Sequence, residues 1–173
     1  MSTTPTDFST CDLCDAHKAA FAAGDGAFRV LPPVFASYGG RAKFSGPVLT
    51  VQCFEDNSPV KAALESPGQG RVLVVDGGGS LRRALIGGNI AAAAAKNGWA
   101  GVLIDGAARD KAELAAADVG VRALALLPMP TERKAPGQTG VPVRIQGVWV
   151  RSGDWLYADE DGIVVMSARA ASA

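Results

Sequence analysis

The sequence predicts a layered α/β domain with β-rich flanks. Three observations carry this reading. The region 80–117 alternates strand-like and helix-like segments, the pattern of strands joined by crossover helices. Both ends read as short strands between turn signals. Hydrophobic residues make up 48% of the 173 residues, while Lys+Arg (17) equals Asp+Glu (17). Such a composition buries a core and is unlike that of a disordered chain. The length suits one domain, with residues 1–10 as a flexible lead-in, 11–167 as the folded unit and 168–173 as a flexible tail.

The elements follow in order. Asp12–Ala23 has helical spacing, with Leu13, Ala16, Ala20 and Phe21 able to share a face, and Gly24 and Gly26 mark its end. Pro32-Pro33 is a stiff turn and Gly39-Gly40 another break. Pro47–Phe54 reads as a strand, and Pro59–Leu64 as a short helix with Ser58 as its N-cap. Arg71–Val75 is a buried strand that runs into the loop Asp76-Gly77-Gly78-Gly79-Ser80. Leu81–Ile86 is open between strand and loop. Gly87-Gly88-Asn89 then starts the clearest helix, Ile90–Asn97, which Gly98 ends. Gly101–Asp105 is a strand, Lys111–Ala117 a helix, Val121–Leu127 a strand and Pro128–Gly140 a loop. Short strands close the chain near Pro142–Ile145, Val148–Arg151, Trp155–Ala158 and Gly162–Val165.

Zero net charge argues against nucleic acid as a partner, since phosphate contacts need clustered Lys and Arg. It argues equally against attachment to a charged membrane surface. No window approaches the roughly 20 apolar residues of a membrane span. Met1–Thr10 lacks the basic start and apolar centre of a signal peptide. The odd cysteine count (Cys11, Cys14 and Cys53) fits reduced thiols and a cytoplasmic location.

Several motifs lack the partners that their chemistry needs. Cys11 and Cys14 form a CxxC with His17 three residues on, but His17 is the only histidine and Cys53 stands apart, so a metal site lacks ligands. The Gly77–Gly79 run does not continue as a dinucleotide fingerprint or a P-loop, and a tight turn accounts for it. No Ser-His-Asp set is available. The candidate site lies elsewhere. Gly87, Gly88, Asn89 and Ile90 open a helix whose unpaired amides and dipole attract an anion. Arg109 and Asp110 follow the next strand, where they can reach that helix start. Arg109 can fork onto a carboxylate, and Asp110 can offer oxygen to a hard cation such as Mg²⁺. A solvated ion pair before a helix explains the same two residues equally well.

From Asp12 onward the sequence resembles the RraA family, the regulators of ribonuclease E activity, and the related 4-hydroxy-4-methyl-2-oxoglutarate aldolases. The resemblance rests on Asp12-Leu13-Cys14-Asp15, Phe35 to Arg41, Thr50 to Asn57, Arg71 to Ser80, Asn97 to Gly101, Asp105 to Asp110, and Gly153-Asp154 with Tyr157 to Gly162. It implies a swivelling β/β/α-type fold and a homotrimer, sometimes doubled to a hexamer, with a cleft between subunits. Two functions come with it. One is inhibition of an RNase E-type endoribonuclease by protein contact, which is the reading expected for this chain. The alternative is a divalent-metal-dependent lyase that releases pyruvate from a 4-hydroxy-2-oxo diacid and decarboxylates oxaloacetate. In that lyase Arg109 would be catalytic, Arg109 and residues 87–90 would bind the 2-oxo acid, and Asp110 would anchor Mg²⁺. The aldolase signature resembles Asp, twenty residues, then Arg-Asp. Its leading position is Gly88 here. The resemblance therefore implies a weakened proton-transfer half, and an Asp at 88 is expected to fold readily at a helix start.

Overall fold

The computed structural model describes residues 7–134 and 136–171. The chain begins with helices α1 (Thr10–Ala16) and α2 (Lys18–Ala23), then strands β1 (Phe28–Val30) and β2 (Ala36–Ser37). One continuous helix was expected over 12–23, but it breaks at His17. There the backbone leaves the helical region (φ −113°, ψ 17°), Nδ1 donates to the Leu13 carbonyl at 2.8 Å and the ring stacks on Phe28. The central unit comprises β3 (Phe44–Gln52), α3 (Ser58–Leu64), β4 (Val72–Asp76), β5 (Ala84–Ile86), α4 (Gly88–Lys96), β6 (Gly101–Ala108), α5 (Lys111–Ala116) and β7 (Gly120–Leu126). The C-terminal part adds β8 (Gln138–Thr139), β9 (Val143–Ile145), β10 (Val148–Val150), β11 (Trp155–Ala158) and β12 (Ile163–Met166). The β-rich flanks are thus present, with β1, β2 and β8 added to the strands read from sequence. This is a mixed α/β single domain with a large sheet and few helices.

The sheet runs β1-β12-β11-β3-β4-β6-β7-β2, with β5 beside β6 and β8 beside β3, while β9 and β10 form a separate hairpin. Strand β3 belongs to both halves. Its first part pairs antiparallel with β11, from Phe44 opposite Ala158 to Pro47 opposite Trp155. Its second part pairs parallel with β4, from Val48 beside Val72 to Gln52 beside Asp76. Strands β4, β6 and β7 continue the parallel order. Phe44 is buried across Gly101 and Gly120, the first residues of β6 and β7. A Cβ on either glycine would overlap its ring.

Alternation sorts the strand side chains onto two cores. Leu73 and Val75 face one side with Val60, Leu64, Ala91, Ala94 and Leu114 of the helices. Val72 and Val74 face the other with Val143, Ile145, Val150 and Leu156. Both faces are covered, so the parallel strands read as unbroken apolar runs. All eight residues of β6 are buried. Among the helices, α3 carries Pro59 in its first turn. Ser58 is its first residue rather than its N-cap, which is Asn57. Cys11, Cys14 and Cys53 are free. Burial, with Asp56 and Asp76 nearby, pushes the Cys53 thiol up to about 12, which leaves it a core side chain.

The free ends expected at 1–10 and 168–173 fall partly on residues 1–6 and 172–173, outside the described residues. Within them, Phe8 packs edge-on against Tyr157, and the Tyr157 hydroxyl accepts from the Ala170 amide at 2.8 Å. The start of α1 is tied down by buried Asp159. Its carboxylate accepts from the Thr10 amide and hydroxyl, both at 2.7 Å, and from the amides of Asp161 (3.0 Å) and Gly162 (3.3 Å). The Asp159 carbonyl in turn accepts from the buried guanidinium of Arg122 on β7.

Burial pushes the Asp159 carboxyl up, but the donors from Thr10, Asp161 and Gly162 outweigh it and hold the group below the usual carboxylate range. A depressed folded value means stability that is complete above the unfolded value near 3.9 and lost as pH falls through the folded one. We therefore expect Asp159→Asn to cost about 2 kcal/mol at neutral pH, the scale of hydrogen bonds to a charged group. The gap between wild type and variant should shrink below about pH 4. Urea denaturation of both proteins at pH 7 and pH 3 checks this, and a gap independent of pH would reject it.

Candidate functional site

Two chain turns meet at the C-terminal edge of the parallel strands. Strand β5 pairs with the end of β6, Ala84 beside Ala107 and Ile86 beside Ala108. The Arg109 amide extends that pairing by donating to the Ile86 carbonyl at 2.9 Å. Gly87 and the start of α4 thus lie against Arg109 and Asp110. The sequence-predicted Gly87, Asn89, Ile90, Arg109 and Asp110 all line one cavity of about 300 Å³. That volume is at the small end for ligand sites and suits a small metabolite.

Asp110 has an unusual backbone. It sits in the left-handed region (φ 63°, ψ 53°), which costs a non-glycine residue about 1–2 kcal/mol. It is the N-cap of α5, yet its side chain makes no cap bond there. The carboxylate turns back instead and accepts the Gly88 amide of α4 at 3.0 Å. Arg109 Nε stands 3.8 Å from the same oxygen, and Arg109 Nη1 donates to the Pro128 carbonyl at 3.4 Å. The Arg109 and Asp110 side chains remain 40% and 39% exposed, so both are open to a ligand.

Bare backbone is required here. A Cβ on Gly87 would meet Asp110 Oδ2 at 2.6 Å and Arg109 Cγ at 3.2 Å. A Cβ on Gly88 would overlap the Glu113 carboxylate and meet Glu113 Cβ at 2.5 Å. Glu113, one turn along α5 from Asp110, therefore fills the place where a side chain at 88 would stand. The expectation of an empty position beside Arg109, readily filled by Asp, gives way to this. Glu113 brings a carboxylate from α5 to this point.

Asp110 and Glu113 converge on Gly88; of the expected substrate-binding residues Gly88 alone does not line the cavity, because Glu113 packs over it, and Glu113 does not line it either. Two hard carboxylates are what Mg²⁺ takes when water and substrate oxygens complete its shell. Among the described residues no group of three or more His, Cys, Asp or Glu comes together, so the donor set is not that of a closed zinc cage. The other walls were not read from sequence. Asn57, Lys61 and Glu65 come from α3 and its two caps, and Pro130, Thr131 and Arg133 from the loop after β7. Glu113 had one available signal: at three residues past Asp110 it shares a helical face with the metal candidate. Asn57 and Arg133 had none, since only tertiary folding joins their segments. The Gly77–Gly79 turn does what its glycines imply. Gly78 and Gly79 have positive φ (65° and 69°), and their amides are spent on the Asp76 carboxylate and the Asp105 carbonyl.

The chain matches the family described as "RraA-like: Aldolase/RraA" over residues 10–165. It is 64% identical over 170 residues to a protein from Albidiferax ferrireducens named "Putative 4-hydroxy-4-methyl-2-oxoglutarate aldolase", covering 94% of this chain and 96% of that one. Among solved structures it is similar to the RNA-processing inhibitor RraA from Thermus thermophilis, with 43% identity, 96% of each chain and a TM-score of 0.88. It also resembles a Geobacillus kaustophilus protein titled S-adenosylmethionine: 2-dimethylmenaquinone methyltransferase, with 42% identity, a TM-score of 0.85, and coverage of 94% of this chain and 96% of that one.

The contact at Gly88 makes a measurable expectation. Gly88→Asp should lose about 1–3 kcal/mol, the cost of overpacking. Combining it with Glu113→Gly, which removes both the carboxylate and the Cβ that crowd position 88, should give a total loss well below the sum of the two single losses. A double-mutant cycle by urea denaturation reads the coupling, and additive losses would show that they do not compete.

Proposed function

The chain belongs to the RraA-like (Aldolase/RraA) family, and on that premise we propose that its cleft is a divalent-metal-dependent carbon–carbon lyase site. The substrate class is a 4-hydroxy-2-oxo diacid such as 4-hydroxy-4-methyl-2-oxoglutarate, with oxaloacetate decarboxylated as a simpler case. The observation that carries this is that Arg109 and Asp110 line one ligand-sized cavity with Gly87, Asn89 and Ile90 at the start of α4, while Glu113 packs against Gly88 beside Asp110.

Mg²⁺ held by Asp110 with help from Glu113 would supply Lewis-acid polarisation of the 2-oxo oxygen. The residues of the chain do the rest. Arg109 presents a planar fork to the carboxylate next to the 2-oxo group. Asn89 and Ile90 belong to the first turn of α4, whose amides lack acceptors within the helix and favour an anion. Lys61 and Arg133 line the same cavity and give cationic partners to the second carboxylate of a diacid. The carboxylate pair takes the C4 hydroxyl proton, that oxygen becomes the carbonyl of the departing 2-oxo acid, and the C3–C4 bond breaks with its electron pair left on the pyruvate enolate. Arg109 stabilises that charge, a role worth about 3–4 kcal/mol in comparable sites. C3 then takes a proton from solvent relayed at the carboxylate pair. In oxaloacetate the same bond releases carbon dioxide.

The regulator reading has its own support. Likeness to the Thermus RNA-processing inhibitor spans 96% of both chains, and zero net charge suits a protein that contacts a ribonuclease rather than RNA. The two readings use different surfaces, a cleft and an outer face, and one protein can carry both. A trimer belongs to the same proposal. Phe54, Leu81 and Met129 stay exposed in the single chain and offer apolar surface for subunit contact. No helix among the described residues is long and apolar enough to cross a membrane, and the proposed location is the cytoplasm.

Pyruvate release from oxaloacetate should require Mg²⁺ and stop with a chelator. Asp110→Asn should lower kcat/KM at least about 100-fold, and Arg109→Lys by about 10²–10³. Oxalate should inhibit. Asp110→Asn should still inhibit an RNase E-type endoribonuclease as the wild type does. Metal-independent pyruvate release, or a fully active Asp110→Asn, would overturn the lyase assignment.

A further inference from the structure

We propose that Thr131 is a positioning residue for the cleft reaction: its hydroxyl fixes the Asn57 carboxamide so that both Nδ2 protons are offered to the bound 2-oxo acid. This rests on the lyase reading of the cleft and adds to it a residue whose own role is orientation.

The starting point is a local rule that the chain breaks. Asn57 occupies the N-cap of α3. Asparagine is among the strongest N-caps because its side-chain oxygen accepts an amide of the first turn. Asn57 makes no such bond. Its neighbour, buried Asp56, does the local work, and Asp56 Oδ1 accepts the Ser58 amide at 2.9 Å and the Ser58 hydroxyl at 2.6 Å. Asn57 is thereby free to turn away from the helix. Its Oδ1 accepts the Thr131 hydroxyl at 2.8 Å, and both residues line the cavity that holds Arg109 and Asp110.

The consequence is a defined donor. The two ends of a carboxamide have nearly the same shape, and its hydrogen bonds decide which faces where. With the Thr131 proton on Oδ1, no acceptor among the described residues engages Nδ2. Its two protons are left for an acceptor oxygen in the cavity. Departures from local preference of this kind concentrate at functional sites.

Thr131 is held in place independently of its hydroxyl. The Lys134 amide donates to Asp56 Oδ2 at 2.7 Å, and the Ala84 amide donates to the Met129 carbonyl at 2.8 Å. Pro130 also pairs with Ala84 as an isolated bridge. The loop therefore keeps its course when the hydroxyl is removed, which separates orientation from folding.

The test uses the full chain with Mg²⁺, oxaloacetate as substrate and oxalate as probe. Thr131→Val, Thr131→Ser and Asn57→Asp are compared with wild type. The side-chain amide pair of Asn57 is assigned in ¹⁵N spectra by its loss in Asn57→Asp. In wild type that pair should shift on oxalate addition. Thr131→Val should lower kcat/KM about fivefold to tenfold, mostly through KM, and reduce the oxalate-induced shift, with a denaturation midpoint close to wild type. Thr131→Ser should restore both. If wild type is active and Thr131→Val matches it in KM and in amide shift, the role of Thr131 is overturned and the lyase reading stands. If oxalate shifts the Asn57 pair in a Thr131-dependent way while wild type turns nothing over, the positioning role stands for anion binding and the lyase reading falls. If wild type shows neither turnover nor an oxalate-induced shift, both are overturned.

Discussion

Everything in this molecule hangs on one strand that serves both halves of the large sheet. β3 runs antiparallel to β11 at its start and parallel to β4 at its end, so a single segment sets the register of both halves. Phe44 locks the junction. Its ring lies across the first residues of β6 and β7, and that approach is open only because both are glycine. A side chain at either place would push the ring off the strands it joins. With β3, β4, β6 and β7 held parallel, their carboxyl ends share one edge, the place where open α/β sheets bind ligands.

The site is then a matter of two turns held side by side. The β5–β6 pairing sets α4 against Arg109 and Asp110, and the left-handed backbone at Asp110 swings its carboxylate onto the neighbouring helix instead of its own. Strain at one residue is offset by a bond between two helices. Local strain that persists because its surroundings determine it is typical of places where geometry matters for function. Asn57 shows the same pattern, a good cap residue that leaves its cap unused.

How much of this could be read from the amino acids depends on the range of the forces involved. The parallel strands were legible because burial on both faces writes an unbroken apolar run, as in Val72–Val75. Arg109, Asp110 and the Gly87–Ile90 turn were legible because one βα unit contains them all. The edge strands β1, β2 and β8 were not, since two or three residues carry too little alternation to show a period. The break at His17 depends on a ring stacked on Phe28, which no helical spacing reveals. Asn57 and Arg133 reach the cavity only through the loop that Asp56 anchors, and a contact between such distant segments leaves no local trace. Gly88 was the instructive case. Spacing marks a missing carboxylate, whereas three dimensions show Glu113 in its place.

That substitution in space has a consequence for descent. A carboxylate carried on α4 and one carried on α5 exclude each other at this point, because both need the volume above the bare α-carbon of Gly88. A single step from one arrangement to the other passes through a chain with both groups, at a cost of about 1–3 kcal/mol of crowding, or through a chain with neither, which lacks the second acid. The effect of a change at 88 in this chain therefore depends on what stands at 113, and neither position can be interpreted by itself.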